Sequence, residues 1–360
     1  MATVKRIGKM DKLAAKQGEK LTVGVDVHLA TFYVAVWSLT RGLLASWVQP
    51  SDGRVLMEKL LPVKEQIVRL VYEAGPTGFG LVRQLRAAGF PADLVAPSQI
   101  PVLPGRQPKS DRLDCVKLAR LAAHKDELRA LAIPSEQQEA DRQVVRLREQ
   151  VGRKRRRVKQ QIKSFLLQHG IAQPEGLTHW SVKAVDRLRA LELNAGLRFT
   201  LDHLLAELDW LKAHMAKVHA RVLAMAREER FREDVRLLRS AKGVGFITAM
   251  VYLTELFNPQ RFSEATQVAR QMGLCPGVQQ SGNTNRPQPL MKSGSDRVRT
   301  LMVESAWRGI RLDPALRKRY DRLVHNTGSA KKAIVGVARH LGIVLWKMLQ
   351  TRQTYQPQAA

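Results

Sequence analysis

Only two of the 360 residues are cysteine, Cys115 and Cys275. They have no Cys-x-x-Cys spacing and make no disulfide framework, so a reducing, cytoplasmic compartment fits. Long apolar runs are missing as well. The best candidate, Ile334 to Trp346, is broken by Arg339 and His340, which leaves no uninterrupted membrane span and no membrane among the expected partners. Residues 1–20 are basic without the apolar stretch of a signal peptide, and they read as a mobile arm. Negative charge is the third scarcity: 32 Asp plus Glu stand against 60 Lys plus Arg, a formal net charge of +28. Such an imbalance repels itself and calls for a polyanionic partner. Because the positive charge is spread along the whole chain, nucleic acid fits better than a membrane surface. What is present in quantity is apolar residue, 44% of the chain, ample for two or three domains with cores.

Against that basic background the placement of a few acids is informative. Lys109-Ser110-Asp111-Arg112-Leu113-Asp114 follows a Pro- and Gly-broken stretch, residues 97–108, and opens an apolar-periodic run through Leu118, Leu121 and Ala122. The pattern predicts a helix capped by Ser110, with Asp111 and Asp114 on one face of its first turn. First-turn acids alone would merely complement the helix dipole. Two further acids upstream change that reading. Asp26 interrupts the apolar run Leu21 to Val27, and Glu73 closes the run Ile67 to Glu73. A charge in a central strand is expensive unless something pairs it, and a divalent cation is one such partner.

Residues 21–130 read as one α/β unit. Leu21–Val27 and Thr31–Ser38 form a hairpin, and Leu43–Val48 supplies a third strand. Arg54–Leu61 is helical, Ile67–Glu73 is a strand, Thr77–Ala88 a helix closed by Gly89, and Ala92–Ala96 a strand. The order β-β-β-α-β-α-β-α is that of the RNase H-like fold, in which acids at strand ends and on a following helix gather at one edge. His28 stands close to Asp26, but a polar residue in a hairpin turn needs no function. Four gathered carboxylates suit phosphoryl transfer with two hard cations, Mg²⁺ or Mn²⁺, about 3.5–4 Å apart.

Past residue 130 the composition becomes helical and basic. Residues 131–232 read as a basic helix, Arg142 to His169, and a coiled coil separated by an irregular stretch from Ile171 to about Leu197. The helix carries Arg153, Lys154, Arg155, Arg156, Arg157 and Lys159, which are candidates for phosphate contact. The coiled-coil seam is Leu201, Leu204, Leu208, Leu211, Met215, Val218, Val222 and Met225, formed with the preceding helix folded back or with another subunit. Residues 233–350 read as a mainly helical domain. Gly243 and Gly245 lie between two helical stretches, as in a helix-hairpin-helix whose turn amides can hold a phosphate. Ser263–Met272 is helical, and Leu274 to Gly294 is a long loop with Ser281, Arg286 and Lys292. Long loops in compact domains are often functional. Helices at Asp296–Arg308, Pro314–His325 and Lys331–Gln350 follow, and residues 351–360 read as a tail.

The motifs Gly24-Val25-Asp26, Tyr72-Glu73-Ala74-Gly75-Pro76-Thr77-Gly78, Lys109 to Asp114, Gly243-Val244-Gly245 with Thr248-Ala249, and Gly273-Leu274 with Pro276 and Ser281-Gly282 occur in order along the chain. In that order the sequence resembles the DEDD transposases (recombinases) of the insertion sequence 110 family, taken to include its 1111 group. The resemblance implies a RuvC-like (RNase H fold) domain, a coiled coil and a C-terminal transposase domain with a nucleophilic serine. It assigns Asp26, Glu73, Asp111 and Asp114 as the metal-binding catalytic acids and Ser281 as the nucleophile. It also implies excision and insertion of a mobile element by DNA strand exchange, with a structured non-coding (bridge) RNA as guide. The expected partners are therefore DNA at the element ends and target, that RNA, and further copies of the chain in a dimer or tetramer. A complete site can then combine acids of one subunit with the serine of another. The chain departs from the family in having Asp114-Cys115 where Asp-Ala is usual, and in the prolines of Pro287-Gln288-Pro289.

Two other classes use the same residues differently. A junction-resolving endonuclease would activate water with the acids and form no covalent protein–DNA link. A non-enzymatic nucleic-acid-binding protein would be indifferent to chelation.

Overall fold

The computed structural model describes residues 16, 18–101, 111–123, 128–281, 284–291 and 293–357, with the side chains of 111–112, 278–281 and 284–288 outside that description. Most of the expected basic arm, and Ser110, Gly282 and Lys292, lie outside it. The chain divides into two units, Met1–Pro134 and Ser135–Ala360.

The first unit contains β1 (Leu21–Val27), β2 (Thr31–Ser38), β3 (Gly42–Pro50), α1 (Gly53–Leu60), a 3-10 segment (Leu61–Gln66), β4 (Ile67–Glu73), α2 (Gly80–Ala87), β5 (Ala92–Val95) and α3 (Asp111–Ala122). The five strands form one sheet in the order β3-β2-β1-β4-β5. β1 pairs antiparallel with β2, and β2 with β3, as short turns demand. β1 pairs parallel with β4, and β4 with β5, so helices must cross over the sheet. Alternation along β1 sorts its residues between two layers. Leu21, Val23 and Val25 enter a core with Leu56 and Leu60 of α1 and Val82 and Leu85 of α2. Thr22 and Gly24 face α3 instead. The Thr22 hydroxyl donates to the Ala119 carbonyl at 2.7 Å. A Cβ on Gly24 would stand 2.2 Å from the Cys115 carbonyl oxygen and 2.3 Å from the Ala119 nitrogen. Helix α3 thus rests on the bare backbone of β1. α2 begins at Gly80, not at the expected Thr77, because Gly78 takes a left-handed φ of 69° and interrupts helical geometry.

The second unit contains α4 (Glu136–Gln168), α5 (Val182–Arg189), α6 (Ala195–Met225), α7 (Glu229–Arg239), α8 (Phe246–Leu256), a 3-10 segment (Pro259–Arg261), α9 (Ala265–Gln271), β6 (Pro276–Ser281), β7 (Thr284–Leu290), α10 (Asp296–Leu312), α11 (Pro314–Thr327) and α12 (Ala330–Thr351). α4 starts six residues before the expected Arg142, at a capping box between Ser135 and Gln138. α4 and α6 lie side by side and antiparallel. Arg148 donates to His219 at 3.1 Å, and Gly152 faces Met215, so one numbering rises as the other falls. Val151, Val158 and Ile162 of α4 share a core with Leu201, Leu208, Leu211 and Val218 of α6. The seam is not a strict heptad: Leu205 is buried, whereas Leu204 and Met215 are only partly so. A 3.6-residue turn drifts against a 3.5-residue repeat in this way.

Two expectations are corrected here. The stretch expected to be irregular, 171–197, holds α5, capped by Ser181, with Ala184, Val185 and Leu188 in the same core. The expected tail is docked: the Tyr355 amide donates to Ser240 at 2.9 Å and its hydroxyl to Asp313 at 2.5 Å, while Arg352 pairs with Asp234. Among the described residues α12 is the one helix long and apolar enough to cross a membrane, and it is a core helix of this unit through Ile334, Val337, Leu341 and Leu345.

Because Leu208 and Leu211 are buried within the chain, Leu208→Asp with Leu211→Asp is expected to unfold the helix pair and not merely to separate subunits. Loss of a buried leucine costs on the order of 2–5 kcal/mol per site before the carboxylate penalty. Thermal melting followed by circular dichroism checks this. A double variant with the parental melting curve would show that the pair does not depend on its seam.

Candidate active site and nucleic-acid surfaces

Asp26 and Glu73 lie at the carboxyl ends of neighbouring parallel strands. The β1–β4 register runs to Val25 opposite Tyr72, and one more step sets Asp26 opposite Glu73, on backbones about 4.8 Å apart. Both point to the sheet face that α3 covers: Asp26 follows Thr22 and Gly24 on that face, and Glu73 follows Val71, which packs on Leu118 and Leu121. α3 runs against the direction of β1, with Ala119 beside Thr22 and Cys115 beside Gly24. Its first turn, with Asp111 and Asp114, therefore comes toward the Asp26 end. Asp114 is partly buried; the Asp111 side chain is outside the description.

His28 completes the described geometry. Its Nε2 lies 3.1 Å from Asp26 Oδ2, with the two side chains 45% and 19% exposed. Its ring meets Tyr33 edge-on at 5.9 Å. Sequence reasoning gave it little weight as a turn residue. The usable signal was the two-residue spacing, which keeps positions 26 and 28 on one side of an extended chain. Among the described residues no three His, Cys, Asp or Glu side chains are gathered closely enough to hold a metal ion. The donor chemistry still suits one, since carboxylate oxygens at a partly open strand edge leave room for water and substrate ligands around Mg²⁺ or Mn²⁺.

In the second unit Ser281 is the last residue of β6 and pairs with Thr284 of β7. The segment expected to be a loop is a two-stranded hairpin from Pro276 to Leu290. Two strands are both edges, so Pro287 and Pro289 need donate no ladder hydrogen bond. The base of the ribbon is tied down by the Met291 amide on the Cys275 carbonyl at 3.0 Å and the Ser295 amide on the Gln271 carbonyl at 2.8 Å. Arg286 lies opposite Gln279 in β7. Ser281 thus ends a strand of a ribbon whose base is tied down.

The basic run on α4 divides by use. Lys154, Arg156 and Arg157 are exposed. Arg153 pairs with Glu149. Lys159 sits 4.9 Å over the Trp180 ring, and burial, then Arg155, Lys212 and Lys163, hold its pKa below the ordinary lysine value. Arg155 is half-buried in a cleft of about 220 Å³ that also holds Glu149, Glu255 and Glu304. There Arg146 donates twice to Glu255, at 2.7 and 2.9 Å. The Gly-x-Gly turn has a packing role. Gly243 has φ 89°, and a Cβ there would stand 2.5 Å from the Ser305 carbonyl oxygen of α10. Gly245 caps α8 in an extended conformation.

Comparison with known proteins matches both units. A DEDD transposase model of the insertion sequence 110 type covers residues 23–171, spanning all four acids. The model described as Transposase IS116/IS110/IS902 family covers residues 235–321, spanning Ser281. The chain is 32% identical to a protein of Sinorhizobium fredii named "Putative transposase y4qE", over 92% of this chain and 82% of that one. It is 27% identical to the transposase for insertion sequence element IS1533 of Leptospira borgpetersenii, over 80% and 85% of the two chains. The transposase for insertion sequence element IS1111A of Coxiella burnetii is 21% identical, over 76% and 75%.

Proposed function

Because the chain belongs to the IS116/IS110/IS902 family of transposases, and is thus an insertion-sequence enzyme acting on DNA, we propose that it cuts and exchanges strands with the Asp26, Glu73, Asp111 and Asp114 carboxylates and with Ser281 as nucleophile. In this reading the first unit is an RNase H-like (RuvC-like) domain, α4 and α6 form the family's coiled coil, a structured RNA guides target choice, and the working form is a homo-oligomer. The observation that carries it is the parallel register Val25 opposite Tyr72, whose next step brings Asp26 and Glu73 side by side on the face that α3 covers.

The four carboxylates would hold divalent cations, Mg²⁺ or Mn²⁺. When bound, such cations offset the charge that develops on the phosphate oxygens. His28, at 3.1 Å from Asp26, fixes the orientation of that carboxylate and acts as a positioning residue. Ser281 Oγ attacks phosphorus: the Oγ–P bond forms, the P–O bond to one deoxyribose breaks, the serine proton passes to a base or water, and the freed sugar oxygen gains one. A sugar hydroxyl of the exchanging strand then displaces the serine, which restores the phosphodiester and the enzyme. Basic side chains hold the DNA by phosphate contacts, so binding weakens steeply with salt.

Chelation tests the reading. EDTA is expected to stop cleavage of duplex DNA carrying an element end, and excess Mg²⁺ or Mn²⁺ to restore it, with DNA binding retained throughout. Full cleavage in EDTA would overturn the metal role. Metal-dependent cleavage that never yields a covalent protein–DNA species would instead identify a resolvase-like endonuclease.

A further inference from the structure

The turn after α6 and the outer face of α7 carry a cleft of about 460 Å³ lined by Arg227, Arg232, Arg236 and Arg239 over Val235 and Ser240, with no carboxylate in its wall. Three of these arginines follow helical periodicity. Arg232, Arg236 and Arg239 stand four and three residues apart, so they line one stripe about 10 Å long at 1.5 Å per residue. Val235 and Leu238 on the neighbouring stripe are buried, which fixes which face of α7 is turned outward. All four guanidinium-bearing residues are exposed.

Of the nearby acids, Glu229 is exposed in the first turn of α7, outside the wall of the cleft, and most of the others are engaged. Glu228 pairs with Arg221 at 2.9 Å and with Arg230 at 2.5 Å. Asp234 pairs with Arg352, and Glu233 lies 3.4 Å from Arg232. Among the described residues Arg227, Arg236 and Arg239 have no carboxylate partner. Like charges crowded together without counter-charge destabilise the free protein, and a polyanion relieves that cost on binding. The docked chain end braces the cleft, because the Tyr355 amide bonds the Ser240 hydroxyl and Arg352 holds Asp234 on the same helix. In the α4 cleft, by contrast, Glu149, Glu255 and Glu304 dilute the positive charge.

Resting on the transposase reading above, we propose that the α7 stripe, with Arg227, is a docking surface for the sugar–phosphate backbone of duplex DNA. Guanidinium groups present flat pairs of N–H donors that match phosphate oxygens. A stripe of about 10 Å reaches about three successive phosphates of one strand, which rise about 3.4 Å apiece along the axis. Nothing in the cleft reads bases, so the surface contributes affinity and register without sequence preference.

The test is a salt titration of binding to a duplex of arbitrary sequence and, separately, to single-stranded RNA of equal length. Arg227→Gln/Arg236→Gln/Arg239→Gln is expected to make the log–log salt slope for duplex DNA shallower by about 2.7, at about 0.9 per phosphate contact. Glutamine keeps helix propensity, so the fold and melting temperature stay parental. The triple Arg→Lys protein should keep most of the slope. Neutralising three paired arginines, Arg187, Arg189 and Arg317, which face Glu175, Asp186 and Asp321, removes equal charge and should change the slope far less. A wild-type protein that binds DNA while the Gln variant keeps its slope overturns this surface and leaves the transposase reading intact. A change confined to the RNA arm overturns the DNA assignment in favour of RNA. A wild-type chain with no affinity for DNA overturns the reading beneath both.

Discussion

The Asp26→Asn protein is expected to bind element-end DNA with near-parental affinity and to cut it about a thousandfold more slowly, or not measurably. Asp26 stands at a strand end opposite Glu73 and under the first turn of α3, where one carboxylate removed spoils a cation site that supplies several kcal/mol of transition-state stabilisation. At about 1.4 kcal/mol per tenfold, that loss is on the order of three decades in rate. Glu73→Gln, Asp111→Asn and Asp114→Asn should behave alike, since each is a proposed ligand of the same site. His28→Ala should be milder, because an outer partner that orients a ligand is worth about 10- to 100-fold in metal affinity. Raised Mg²⁺ should therefore rescue His28→Ala and not Asp26→Asn. The measurement is single-turnover cleavage across a Mg²⁺ series, with melting temperature as the fold control. Asp26→Asn cleaving at the parental rate would remove the carboxylates from the mechanism.

The second large effect concerns Ser281. Denaturing gels after incubation with end-labelled DNA are expected to show a protein-linked strand that Ser281→Ala abolishes, with strand exchange lost alongside it. The motivation is a serine at the end of β6, paired with Thr284 on a ribbon anchored at its base. Chain order adds to this: the serine lies within the segment matched by the family model that covers residues 235–321. An adduct that survives in Ser281→Ala would reject the assignment. Because the substitution removes one oxygen at the end of a strand, melting should not change, and a lost adduct with parental melting separates chemistry from folding.

The parts of this architecture that were readable from sequence are those in which one periodicity dominates. β1, β2 and β4 have the bounds expected from their mainly apolar runs, and Asp26 and Glu73 were conspicuous because a charge is costly inside such runs. α3 was legible from its spacing. α5 was not, because eight residues mixing two Arg, a Lys and an Asp with four apolar positions are too short for a period to emerge. The ribbon was missed for a different reason: Pro276, Pro287 and Pro289 argue against a strand, and only the edge-only nature of a two-stranded ribbon admits them. His28 offers one local signal, its two-residue spacing from Asp26, and that spacing alone does not report the side-chain contact. The packing of Gly243 against α10 is a tertiary fact that no local pattern contains.

The missing side chain at Gly24 has a consequence for how this enzyme can vary. Since α3 touches the main chain of β1 there, at what would be 2.2 Å from a Cβ, the gap between the strand bearing Asp26 and the helix bearing Asp111 and Asp114 is gauged by peptide groups and not by rotamers. Peptide groups are incompressible and chemically invariant. Repacking the opposite layer, among Leu56, Leu60, Val82 and Leu85, can therefore drift freely without resetting that gauge. The spacing of the acids is insulated from most of the core that holds the sheet together, and it hangs on one position where the smallest possible residue acts as a shim of zero thickness.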